Sequence, residues 1–219
     1  MRTIRALMAA AAVVMLPSIA SAQQGRGFKD AWFWGLKVGG LSIADSGQKF
    51  TQAPTVGLEW LITRTHGGLY VSGSQTFFSQ HAFIARDPVS ADSGFRAVSL
   101  KNLRRVDVAL VGFPGQNLKF HPYAGIGLTL NAIADADPEG PFANADQIAF
   151  AEEVIQEHKV AFTPLFMGGA QWRLRYASVF GQFMLNPMNR DFLMYNGKAW
   201  NFGYELGVRY NIGSAIDRN

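Results

Sequence analysis

The chain has 219 residues, no cysteine, 20 basic against 16 acidic residues and a charged fraction of only 16%, where soluble domains average about 25%. Without cysteine there is no disulfide, no thiolate metal site and no lipid attachment to a cysteine. Low charge combined with 23 glycines and 17 phenylalanines suits a chain whose outer surface does not face water.

The N-terminus, "MRTIRALMAAAAVVMLPSIASAQQ", sets Arg2 and Arg5 before an apolar run from Ala6 to Leu16, then Pro17 and the small residues Ala20, Ser21 and Ala22. This order predicts a secretory signal peptide over 1–22, followed by a periplasmic segment 23–31. Without Arg2 and Arg5 the balance is 18 basic to 16 acidic residues, which gives no footprint for nucleic acid. The remaining chain, about 197 residues, has the size of one domain.

Eight segments then alternate apolar and polar residues with a period of two. The first, 32–43, sets Trp32, Trp34, Leu36 and Val38 against Gly35, Lys37 and Gly39; the second, 55–62, sets Val56, Leu58, Trp60 and Ile62 against Gly57 and Glu59. The third (69–76) opposes Leu69 and Val71 to Tyr70, Ser72 and Ser74; the fourth (103–113) opposes Val106, Val108 and Leu110 to Arg105 and Asp107. In the fifth (123–131), Ile126, Leu128 and Leu130 alternate with Gly125, Gly127 and Thr129. The sixth (160–173) carries Phe162, Phe166 and Trp172 against Thr163, Gln171 and Arg173, blurred by Leu165 and Met167. The seventh (177–185) has Val179, Phe183 and Leu185 against Ser178, Gln182 and the bulky Phe180; the eighth (200–212) has Phe202, Tyr204, Leu206 and Val208 against Gly203, Glu205, Gly207 and Arg209.

No apolar run after residue 22 is long enough for a spanning helix, so a membrane-spanning form must be a closed barrel, in which every backbone group is paired. Connections alternate between short (within 63–68, 114–122 and 174–176) and long (44–54, 77–102, 132–159 and 186–199). An even strand number with alternating connections predicts an all-β fold: a closed eight-stranded antiparallel up-and-down transmembrane β-barrel over 32–212, with both termini in the periplasm and a tail 213–219. Trp32, Trp34, Trp60, Trp172 and Trp200 fall on the apolar face near strand ends, where indole rings at the membrane interface form aromatic girdles. Within the 132–159 connection, 144–159 predicts a short amphipathic helix in an extracellular loop, with Ile148, Ala151 and Ile155 on one stripe and Asn144 or Asp146 as N-cap. It either covers the mouth, lies on the rim or against headgroups, or simply packs the loop onto its neighbours.

In this phase Lys37, Glu59, Arg105, Asp107, Arg173, Glu205 and Arg209 point inward. Charges inside so narrow a barrel persist only when paired, so these seven predict a lumen network, with Lys37 near Glu205. The competing pattern is a narrow channel lined by Gly35, Gly39, Gly57, Gly125, Gly127, Gly203 and Gly207, whose missing side chains leave room.

The signal peptide, "FHPYAGIGLTL" (120–130) and the closing "FGYELGVRYNI" (202–212) resemble the small eight-stranded outer-membrane barrels, the family that includes OmpA, OmpX and OmpW. The resemblance spans the chain after the signal peptide as a pattern, and implies location and fold more than activity. Its members range from anchors and adhesins to channels for small hydrophobic compounds. Family members commonly end on an aromatic residue; here "GSAIDRN" follows Tyr210 and Ile212.

The chemistry-bearing residues are few. His66 and His121 are placed in periplasmic turns and His81 and His158 on the outer side; Ser79 and Asp87 near His81 do not form a nucleophile, base and acid in any recognisable pattern. No histidine spacing or calcium loop predicts a metal; the acidic "DADPEG" (135–140) reads as a solvated loop, with a divalent cation bridging lipopolysaccharide phosphates as the alternative. The sequence therefore predicts a non-enzymatic outer-membrane barrel without cofactor, acting structurally or in surface interactions. Its partners are outer-membrane lipid, lipopolysaccharide and the barrel-assembly machinery; it is monomeric, and the surface partner is open. The alternatives are the narrow channel, a soluble lipocalin-like binder and a lipid A acyl-chain enzyme.

Overall fold

The computed structural model describes residues 28, 30–44, 50–84, 96–114, 119–140, 142, 144–174, 177–195 and 199–214. The predicted signal peptide 1–22 and the tail from 215 onward lie outside the described residues. Eight strands follow in chain order: β1 (Ala31–Ala44), β2 (Phe50–Thr63), β3 (Gly67–Ile84), β4 (Arg96–Gly112), β5 (Phe120–Glu139), β6 (Val160–Arg173), β7 (Ala177–Pro187) and β8 (Trp200–Ser214). One helix, α1 (Ala145–His158), stands between β5 and β6. Every strand pairs antiparallel with its chain neighbour, and β8 returns to β1, closing the sheet as a barrel. Closure leaves no free sheet edge along the paired lengths.

Alternation sets the two surfaces. Outward, Leu110, Phe162 and Phe183 are 68%, 70% and 72% exposed; inward, Lys37, Asp107 and Arg209 are 2%, 0% and 1% exposed. The molecule is apolar outside and charged inside, the inverse of a water-soluble barrel. Leu165 and Met167, which blur the sixth segment, both point inward and are buried.

One end of the barrel carries Ala31, which pairs with Ser214, together with the connections 64–66, 113–119 and 174–176. This is the turn end. The other, the loop end, carries the connections 45–49, 85–95, 140–159 and 188–199 and a protrusion. Strands β3, β4 and β5 run to 18, 17 and 20 residues, well past the sequence-predicted segments. The β4 pattern breaks at a bulge: Asn102 has φ 59°, and between the pairs Thr76–Leu103 and Ser79–Lys101 two residues of β3 face one of β4. The facing of β4 reverses across Asn102: Leu103 and Arg105 are buried on odd numbers but Leu100 and Val98 on even ones. A period-two pattern read from the sequence stops at that point, although the strand does not.

Helix α1 starts where Asn144 Oδ1 accepts the Gln147 amide at 3.0 Å. Its buried stripe is Gln147, Ala151 and Ile155; Ile148, which the sequence places on that stripe, is 38% exposed. Ala151 and Ile155 of the predicted stripe are thus buried, and Gln147 takes the place of Ile148.

Candidate functional site in the barrel lumen

Among the described residues, inward side chains form three layers in the lumen. At the turn end Phe28, Phe33, Phe113, Leu61 and Val111 form an apolar plug. Phe28 stacks on His121 with ring centroids 4.3 Å apart and meets Phe113 edge-on at 4.8 Å. The Thr63 hydroxyl donates to the Phe28 carbonyl and accepts the Ala31 amide, tying the chain before β1 into the barrel floor. His121, predicted in a turn, is instead the second residue of β5 and fully buried. The reason is that β5 begins at Phe120, three residues before the predicted segment, so the inward phase already includes His121.

The middle layer is polar. Lys37 Nζ donates to Glu205 Oε2 at 2.9 Å, Ser72 Oγ at 2.9 Å and Tyr70 OH at 3.1 Å, and lies 3.9 Å from Asp107. Asp107 accepts from Arg105 at 3.1 Å, Thr129 at 2.7 Å and Ser72 at 2.9 Å. Across the lumen Arg209 pairs with Glu59, donates to Gln171 Oε1 at 2.7 Å, and lays its guanidinium on the Phe180 ring at 3.9 Å. Gln182 joins the two groups: its Nε2 donates to Glu205 at 2.7 Å, while its Oε1 accepts from Tyr123 at 2.8 Å and from Arg209 at 3.4 Å.

Six of the seven predicted charges thus occupy one network that joins three cations to three carboxylates and reaches residues of all eight strands. Ion pairs buried this way are tolerated because each charge is both paired and hydrogen-bonded. Arg173, the seventh, is the last residue of β6 and only half-buried at the turn end. Uncharged connectors complete the network: Tyr70 and Gln182, which share the inward phase in the sequence, and Asn186, which accepts from Arg105 at 3.3 Å and donates to Thr129 at 2.9 Å from just beyond the seventh predicted segment.

Of the lumen glycines, Gly35, Gly57 and Gly207 stand against long side chains. A Cβ on Gly35 would stand 2.8 Å from the Glu59 side chain, one on Gly57 2.9 Å from Lys37 Cε, and one on Gly207 2.5 Å from the Phe180 ring. These glycines make room for the long side chains of the network. The space left by each missing side chain is already occupied.

The outer layer caps the loop end. Ala151 and Ile155 of α1 and Phe192, Leu193 and Met194 of the 188–199 connection join one apolar cluster with the lumen-facing Leu41, Ile43, Leu100 and Ile133. The Leu193 amide donates to the His158 carbonyl at 3.2 Å, fastening the two caps together. The helix thus packs its Ala151 and Ile155 into the apolar cluster at the loop end. Outside, Trp34 and Trp60 stack at 5.9 Å, Trp32 meets Trp60 edge-on at 5.4 Å, and Phe120 and Trp172 lie 6.3 Å apart, all near the turn end; Trp200 opens β8 at the loop end. His81, the outer-side histidine near a serine, instead contacts Glu139 Oε2 at 2.8 Å on the exposed protrusion.

No protein-family model matches the chain, and no curated protein matches it in sequence. Solved structures do match in shape. The crystal structure of Neisserial surface protein A superposes with a TM-score of 0.54 at 11% identity, covering 83% of this chain and 97% of that one. The outer membrane protein OprG from Pseudomonas aeruginosa superposes with a TM-score of 0.50 at 11% identity, covering 85% of this chain and 98% of that one. The chain has the fold of the small eight-stranded outer-membrane barrels.

Proposed function

We propose that the protein is an integral barrel of the bacterial outer membrane, with its turn end in the periplasm and its loop end outside, and that it acts as a sealed structural or surface-interaction protein. The observation that carries this reading is the lumen, filled from the Phe28 plug through the charge network to the α1 cap. A wall that buries Lys37 and Asp107 while exposing Leu110 and Phe162 is matched to hydrocarbon outside. Crossing the bilayer takes about 9–11 residues per tilted strand, so β3, β4 and β5 have length left over. The surplus forms a ridge above the membrane, the part of the molecule best placed to meet another surface. No transport path and no nucleophile with base and acid figures in this reading, which is non-enzymatic.

Two measurements test it. Cell fractionation is expected to recover the folded protein with outer membranes; recovery in the soluble periplasm defeats the placement. Planar-bilayer recording of the purified protein is expected to show no steady conductance, and a stable open level defeats the sealed lumen.

A further inference from the structure

We infer that a slot in the barrel wall at the loop end, between β2 and β3, binds a short uncharged peptide segment in extended form through main-chain hydrogen bonds. It rests on the placement proposed above only for the source of that segment, a polypeptide outside the cell; the slot is a property of the fold. β2 and β3 pair from Thr63 and Gly68 up to Thr55 and Thr76. The hydroxyls of that last pair lie 2.8 Å apart and close the slot at its base. Directly above, Phe77 and Phe78 of β3 face Asn102 alone on β4, and a bulge bends its strand and sharpens the twist. β3 therefore turns away from β2. Thr51, Gln52 and Ala53 pair with Ile43, Ser42 and Leu41 of β1, while Ser79 to Ile84 pair with β4. Among the described residues no rung joins these two stretches.

Chemistry selects the occupant. Main-chain groups of a strand point alternately to its two sides, so each border of the slot offers N–H and C=O groups that the sheet leaves unused. Between the borders lies a cavity of about 290 Å³, with walls from Thr51, Ala53, Phe78, Gln80 and His81 over Ile43. None of its lining residues is Asp, Glu, Lys or Arg, and the His81 ring is engaged by Glu139 at 2.8 Å. A charged ligand finds no counterion in that lining. Gln80 Nε2 is buried without a hydrogen-bond partner, a donor placed for a carbonyl oxygen. An extended peptide supplies carbonyls and amides at the rise of about 3.3 Å that the bordering strands share. Strand addition draws affinity from the main chain and specificity from alternate side chains, one of which enters the apolar base formed by Ile43, Ala53 and Phe78. Ligand pockets span about 300–1,000 Å³, so a cavity at their lower limit admits small side chains only.

The test is nuclear magnetic resonance of the folded full-length mature protein in detergent micelles, isotope-labelled at its glutamine side-chain amides and titrated with acetyl-Ser-Ala-Asn-Ala-Ser-amide. The signal lost in Gln80→Leu identifies Gln80, and a saturable shift of that signal is expected in wild type. The same peptide with N-methylated backbone amides is expected to bind about tenfold more weakly, having lost main-chain donors, and this arm needs no variant to fold. Ala53→Leu, which fills the cavity, is expected to abolish the saturable shift. No saturable shift in wild type, equal binding of the methylated peptide, or wild-type binding by folded Ala53→Leu overturns the inference. N-acetylglucosamine moving the Gln80 signal as readily as the peptide overturns its assignment to a peptide. Failure of the titration on the purified chain defeats this inference alone, whereas recovery in the soluble periplasm defeats the placement.

Discussion

Lys37 donates to Glu205 across the seam where β1 closes on β8, the longest separation in sequence bridged by any charge pair of the lumen network. The same carboxylate oxygen accepts Gln182 from β7, so three strands meet on one atom. Glu205→Leu leaves Lys37 buried without its nearest carboxylate and is expected to destabilise the barrel by about 3–5 kcal/mol. Urea unfolding in lipid vesicles, followed by tryptophan fluorescence, measures it. An unchanged midpoint would count against the network as a source of stability. The double variant Lys37→Met with Glu205→Leu is expected to recover part of the loss, since it removes the stranded charge.

Arg209→Lys keeps the charge and loses the plane. Arg209 reaches Glu59, Gln171, Tyr123 and Gln182 and lies flat on Phe180. An ammonium can neither fork nor stack in that way, and a loss of about 1–3 kcal/mol is expected in the same unfolding experiment. A lysine variant as stable as wild type would show that charge alone suffices.

Two glycines separate packing from sequence position. A Cβ at Gly207 would fall 2.3 Å from the Leu36 carbonyl oxygen and 2.5 Å from the Phe180 ring, whereas one at Gly73 meets nothing within 4 Å. Gly207→Ala is expected to cost about 1–3 kcal/mol and Gly73→Ala to leave the unfolding midpoint in place. Equal effects at the two sites would mean that lumen crowding is not what holds Gly207.

The cap is expected to yield independently of the wall. Ala151 is fully buried in the cluster that closes the loop end, so Ala151→Glu inserts a carboxylate with no partner there. The variant is expected to be cleaved faster within the 140–159 connection under limited proteolysis while the barrel band stays intact. Cleavage at the wild-type rate would place the helix outside the mouth.

Much of the fold was legible because two-residue alternation is a local property. Each strand from β1 to β8 displays its two faces in the sequence, and the charges on the minority face announced an interior that needs pairing. Legibility failed where geometry interrupts the period. The facing of β4 reverses across Asn102, which conceals the length of the protruding strands. His121 lay just outside a predicted strand start, and the helix stripe was misread at one residue because Gln147, a polar residue, is buried in place of Ile148.

Strand number and the inverted surface follow from spacing along single strands, and so does the inward phase of Lys37, Glu59, Arg105, Asp107, Glu205 and Arg209. Only the tertiary structure decided which charges meet, because partners such as Glu59 and Arg209 are brought together by barrel closure across 150 positions of sequence. It likewise decided that the lumen glycines accommodate side chains: the size of a gap depends on what the opposite wall inserts into it, and no single strand carries that information.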